Sequence, residues 1–380
     1  MRKMSDTIAR LAALRTRQRA YSPDVVSSRR LSTLGNFGSN PGALQARLYL
    51  PDNRSEGMPL VVVLHGCTQT AAGYDHMSGW SLLADEAGFA LLYPEQQRAN
   101  NPNLCFNWFQ SADTTRERGE ALSIRQMIEA MIVTHGLDRK RVFVTGLSAG
   151  GAMAAGMLAN YPEVFAGGGL IAGLPYGSAT TVPEAFDRMR GHGGPSEQDL
   201  QRLLQRASTH KGPWPRISIW QGSADHTVAP SNAHAIASQW RGVHGLEKAP
   251  THQTTAGPHS KQVWHDDTGN AAIEINTIAG MGHGTPLDKN LGTPGPYMID
   301  VGISSTREIA RFWGITMENN ALSDGLRPTS HSQVFDDPHH TRAKSPETIG
   351  VRETPGHSAS ASTGAKKIIE DALRAAGLMR

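Results

Sequence analysis

Arg141-Val-Phe-Val-Thr-Gly-Leu-Ser-Ala-Gly-Gly-Ala-Met-Ala-Ala-Gly-Met-Leu-Ala-Asn160 is the stretch on which the reading of this chain turns. Arg141 to Thr145 has the β-branched and aromatic character of a buried strand, and Ala152 to Asn160 is rich in Ala and Met, as helices are. Between them, Gly146-Leu147-Ser148-Ala149-Gly150 fits Gly-x-Ser-x-Gly, the nucleophile elbow that holds a serine hydroxyl above the ends of an α/β sheet. In a chain with 40 glycines, an ordinary turn with an idle serine can look the same. The strand before the motif and the helix after it supply the setting an elbow needs.

Working outward, short apolar runs alternate with helical patterns from about residue 31, the rhythm of a mostly parallel sheet with crossover helices. Strands are predicted at Arg47 to Leu50, Leu60 to Leu64, Phe89 to Tyr93 (stopped by Pro94), Gly168 to Ala172, Ile217 to Trp220 and Ala272 to Ile278. Helices are predicted at Ser81 to Ala87 and Gly119 to Thr134, with a short helical pair within Ala185 to Ala207. That pair belongs to an insertion near 178–212 that is expected to wall the substrate cleft. The organisation read from this is an N-terminal extension over 1–34, a catalytic domain over 35–314 and a polar, disordered tail over 315–380. Within the tail, Lys366 to Met379 has the pattern of a short amphipathic helix.

Composition excludes several functions. With 37 Lys and Arg against 34 Asp and Glu, the net charge of +3 is too small for the basic footprint of a nucleic-acid binder. No apolar run is long enough for a membrane span. The 16 His and two Cys show no metal-ligand spacing, so neither metal nor organic cofactor is expected. Met1 to Arg17 is basic and lacks the roughly 7 to 15 apolar residues of a signal peptide, which reads as cytoplasmic.

A serine hydroxyl needs a base, and the base needs an acid to set its tautomer. In this fold class both follow the serine, acid first. Asp225 lies just beyond the Ile217 to Trp220 strand and His283 just beyond the last strand, so both fall at the strand ends where Ser148 lies. His226 and His265 compete for the base and Asp266 and Asp267 for the acid, on poorer positions. The oxyanion hole takes one backbone N–H from Ala149, after the nucleophile, and one from Cys67, in the loop following Leu64.

Leu64-His-Gly-Cys-Thr-Gln69, Cys105-Phe-Asn-Trp-Phe109, the elbow, Gly222-Ser-Ala-Asp225 and Gly282-His-Gly284 together resemble the polyhydroxybutyrate (PHB) depolymerase family of esterases, over about residues 35–314. Feruloyl and acetylxylan carbohydrate esterases are relatives of that group. The resemblance implies an α/β-hydrolase fold, Ser148 as nucleophile, Asp225 as acid, His283 as base, and hydrolysis of polyesters or their oligomers through an acyl-enzyme. Carbohydrate ester hydrolysis is the alternative, and an inactive binding protein on the same fold the non-enzyme one. Secreted members usually carry a signal peptide and a separate polymer-binding domain, and neither is read here. The expectation is therefore action on soluble or amorphous esters.

Trp108, with Asn107 beside it, is the candidate for substrate binding, although an aromatic cluster such as Phe106, Trp108 and Phe109 is more often core. Cys67 and Cys105 both emerge at the catalytic edge of the sheet and are expected to be neighbours, close enough for a disulfide. Two separate buried thiols, kept apart by a reducing compartment, are the other possibility.

Overall fold

The computed structural model describes residues 30–316. Residues 1–29 and 317–380, with the short helix expected near the end, lie outside the described residues; Ile315, expected to open the disordered tail, is instead buried in the core beside Trp313. Ten strands form one sheet in the order β1-β2-β4-β3-β5-β6-β7-β10-β9-β8. They are β1 (Ser32–Thr33), β2 (Gln45–Tyr49), β3 (Leu60–Leu64), β4 (Ala90–Glu95), β5 (Val142–Leu147), β6 (Gly167–Ile171), β7 (Arg216–Gly222), β8 (His252–Ala256), β9 (His259–His265) and β10 (Ala271–Ile278). The six from β4 to β10 pair in parallel, with antiparallel strands added at both edges.

All five residues of β3 are buried, which explains its unbroken Leu-Val-Val-Val-Leu. Leu60, Val62 and Leu64 enter one apolar layer with Ile124, Leu158 and Trp240. Val61 and Val63 enter the other with Trp80, Phe89 and Trp313. The helices are α1 (Ala71–Ser78), α2 (Trp80–Ala87), α3 (Ser111–Thr114), α4 (Gly119–His135), α5 (Ala149–Asn160), α6 (Val182–Met189), α7 (Glu197–Ala207), α8 (Ser231–His244) and α9 (Ser305–Trp313). Beside the elbow, β6 begins with three glycines that let flanking helices come close. A Cβ on Gly168 would stand 2.3 Å from Leu158 of α5, and one on Gly169 would stand 2.8 Å from Ile309 of α9.

Several boundaries differ from expectation. The sheet begins at Ser32, before residue 35, because that stretch pairs with β2. Pro94 does not stop β4: it pairs with Ala46 of β2, beyond the point where β3 leaves off at Leu92. Proline is tolerated there because no ladder bond to β3 is required of its nitrogen. Helix α5 starts at Ala149 rather than Ala152, so Ser148 is the only residue between strand and helix. The helical pair of the insertion is α6 and α7. Helices α1, α8 and α9 and the β8–β9 hairpin were not legible. Helix α8, for instance, buries Gln239 and Arg241, which blurs its apolar period.

Candidate active site

Ser148 has φ 56° and ψ −118°, a backbone state that costs energy for a residue with a Cβ and persists only where the surroundings impose it. Its N–H donates to Ile171 O at 2.9 Å, and its C=O accepts from Ala152 N at 2.9 Å. The flanking glycines are a steric requirement. A Cβ on Gly146 would lie 2.4 Å from the Gly150 backbone, and one on Gly150 would lie 2.4 Å from Leu64 O. With β5 and α5 buried on either side, Ser148 is half-buried. Ala149 opens α5, so its N–H has no acceptor within the helix.

Asp225 follows β7 and is buried. Its Oδ1 accepts from the backbone of Thr227 at 2.8 Å and Val228 at 2.9 Å, and its Oδ2 accepts from Gln221 Nε2 at 3.0 Å. That same Oδ2 meets Nδ1 of His283 at 2.8 Å. His283 follows β10 and packs edge-on against Tyr297. The Nδ1–H is thus held by the carboxylate, which leaves Nε2 as the basic nitrogen. Two backbone bonds lock the loops together: Ser223 N to Ile278 O at 3.0 Å and Ala224 N to Met281 O at 3.0 Å. Of the competing residues, His226 is exposed and His265 bonds Thr251 within β9. Asp266 holds the turn entering β10, at the opposite end of that strand from His283.

Beyond β3, His65 is buried, and burial lowers its imidazole to about 4, so it is neutral. Nε2 accepts from Gln96 N at 3.1 Å, which places the proton on Nδ1, 2.8 Å from Gly66 O. That carbonyl belongs to the same rigid amide as the Cys67 N–H. Gln69 Oε1 holds Gly66 N at 2.8 Å, and Cys67 is joined to Cys105 by a disulfide with a Cα separation of 4.2 Å. The turns after β3, β5, β7 and β10 thus carry Cys67, Ser148, Asp225 and His283 to the C-terminal edge of the parallel strands.

The sequence profile of the esterase PHB depolymerase family matches residues 44–264. Poly(3-hydroxyalkanoate) depolymerase C of Paucimonas lemoignei is 45% identical over 75% of this chain and 70% of its own. This chain belongs to that esterase family. It is also similar to feruloyl esterase B of Talaromyces funiculosus, at 31% identity over 71% of this chain and 77% of the relative. Among solved structures, acetyl xylan esterase from Aspergillus awamori superposes with a TM-score of 0.66 at 25% identity, covering 75% of this chain and 99% of the other. The protein is therefore a carboxylic ester hydrolase on an α/β-hydrolase fold.

Trp108 is half-buried against a small apolar group formed by Ala152, Leu174 and Val228, which Met189 joins. Val228 is the residue whose N–H holds Asp225, and Ala152 is in the first turn of α5, so this patch adjoins the site. Phe106, by contrast, is core, with its ring 5.0 Å from that of His65. Asn107 is buried, and its Oδ1 accepts from Asn101 at 3.0 Å. The side chain of Asn107 is thus engaged by Asn101 and by Asp113 of α3. Sequence reasoning missed Gln221, Tyr297 and the buried carboxyl of Glu120, none of which stands in a motif. Among the described residues, no group of three or more His, Cys, Asp or Glu is placed to hold a metal ion.

Proposed function

We propose that this esterase hydrolyses polyhydroxybutyrate-type polyesters or their oligomers through an acyl-enzyme on Ser148. The observation that carries the reading is the 2.8 Å bond between His283 and a fully buried Asp225, at the same sheet edge as a strained serine elbow. Ser148 Oγ attacks the ester carbonyl while His283 Nε2 takes its proton, and the N–H groups of Cys67 and Ala149 hold the negative oxygen. The tetrahedral species collapses as the imidazolium returns the proton to the departing alcohol. Water then attacks the acyl-serine by the same route, releasing the acid and restoring the hydroxyl. Asp225, anchored by three donors, keeps the imidazole in the required tautomer.

The apolar group around Trp108 supports an aliphatic acyl chain beside the serine, and the 45% identity to a poly(3-hydroxyalkanoate) depolymerase supports the polyester class. The test compares kcat/KM on hydroxybutyrate oligomers, amorphous and crystalline polymer suspensions, p-nitrophenyl esters and methyl ferulate. Oligomers and amorphous polymer are expected to lead. Preference for methyl ferulate or acetylated xylan would move the protein to the carbohydrate esterases. Failure to react with a fluorophosphonate would make it a binding protein on an esterase fold.

A further inference from the structure

Glu120, in the first turn of α4, is fully buried, and the proposed reaction does not use it. Each of its oxygens faces the segment 96–107. Oε1 accepts from Gln96 Nε2 at 2.6 Å and Asn100 Nδ2 at 3.3 Å, and Oε2 accepts from Asn107 N at 2.9 Å. All three partners are donors, so the arrangement suits a carboxylate. Gln96 is the centre of this group. Its side-chain amide also donates to Cys105 O at 3.0 Å, and its backbone N–H holds His65 Nε2 at 3.1 Å. Two routes therefore run from Glu120 to one peptide. One passes through Cys105 and the disulfide to Cys67, the other through His65 to Gly66 O. A planar amide fixed at its carbonyl has its N–H direction fixed as well.

We propose that Glu120 is a positioning residue for ester hydrolysis: its carboxylate gathers Gln96, Asn100 and Asn107 into a brace that fixes the Gly66–Cys67 peptide through Cys105 and His65. This rests on the reading of Cys67 N–H as an oxyanion donor. Burial pushes the carboxyl up to about 8, and the charge of Asp113 on α3 acts in the same direction. Asn107 and Glu120 N–H both donate to Asp113, and the groups that donate to the Glu120 carboxyl, from Gln96, Asn100 and the Asn107 backbone, are uncharged amides. Loss of that proton leaves both oxygens as charged acceptors, so the brace is tightest in alkaline solution and its contribution grows as Glu120 ionises.

The experiment counts active enzyme by fluorophosphonate titration to completion, then measures kcat per titrated site on p-nitrophenyl acetate from about pH 6 to about pH 9.5. Titrations common to wild type and variant cancel in the ratio. At the alkaline end, Glu120→Gln is expected to lower kcat per site about tenfold with KM within about twofold, the scale of one charged hydrogen bond. The Ki of a trifluoromethyl ketone, which presents an oxyanion, is expected to rise by the same factor. At the acid end the two enzymes converge, because the wild-type carboxyl is then neutral. Equal kcat per site across the range overturns the proposal even if the melting temperature drops, and so does an equal deficit at both ends. Should Glu120→Gln fail to fold, Gln96→Leu removes the amide that links Glu120 to Cys105; the same alkaline deficit supports the brace, and wild-type turnover per site overturns it. Turnover retained by Ser148→Ala would defeat the reading of the site itself, whereas a dead Ser148→Ala beside an unaffected Glu120→Gln defeats only the brace.

Discussion

Gly222 packs against Met281 so tightly that a Cβ on the glycine would stand 2.2 Å from the Met281 carbonyl oxygen. This contact seats the acid turn after β7 directly on the histidine loop after β10. Gly222→Ala is expected to part the two loops and break the 2.8 Å bond between Asp225 and His283, lowering kcat on the order of 100-fold with KM little changed. Near-normal kcat would show that the loops absorb the methyl group without moving the pair.

Ser148→Ala removes the covalent route and exposes no apolar core, so it should abolish turnover at unchanged melting temperature. Asp225→Asn is expected to cost kcat about a thousandfold or more. Two backbone donors fix Oδ1, so the new amide nitrogen would face His283 Nδ1 and force the wrong tautomer. Greater sensitivity at Asp266 or Asp267 would mean that the acid lies elsewhere.

The aromatic trio should divide by role. Trp108→Ala is expected to raise KM several-fold for longer acyl chains with little change in melting temperature, since the ring is only half-buried on the patch beside the site. Phe106→Ala, in the core, should cost about 3 to 5 kcal/mol of stability. A large loss of stability from Trp108→Ala would make that ring core as well.

Stability should depend on pH through two buried groups with opposite signs. Glu120 is raised from 4.5 to about 8, so the native state keeps a proton that the unfolded chain releases; its contribution is complete below about 4.5 and is lost as pH climbs through about 8. His65 is lowered from 6.5 to about 4, so its contribution is present above 6.5 and lost as pH falls toward 4. Between 6.5 and 8 only Glu120 of this pair acts, and the melting temperature should fall with rising pH. Glu120→Gln should flatten that slope; identical slopes in the two proteins would refute the assignment.

The disulfide closes 38 residues of chain, which corresponds to about 4 kcal/mol in the chain-entropy model. Reduction, or replacement of both Cys67 and Cys105 by Ala, should lower the melting temperature and loosen the loop that carries Cys67. Denaturant midpoints measured with and without reductant check this, and coincident midpoints would count against it.

The core strands and the order of the site were legible because they rest on local patterns. The Leu-Val-Val-Val-Leu of β3, short, β-branched and followed by His-Gly, reads as a doubly covered strand, and the glycines around Ser148 mark the tight turn between strand and helix. Asp225 and His283 could be picked out as a pair as well, since each follows a strand and this fold class puts the acid before the histidine; the structure brings the two side chains within 2.8 Å of each other. Distance and direction were not legible. Gln221 and the backbone of Thr227 and Val228 hold Asp225 only because a turn folds back on itself. Glu120 meets Gln96 and Asn107 only because α4 packs beneath a loop that precedes it in the chain. Trp108 and Phe106 are two residues apart in one aromatic run, yet one lies in the core and the other beside the site. That difference depends on which neighbours, distant in sequence, the fold brings against each ring, and the sequence of the run contains no record of them.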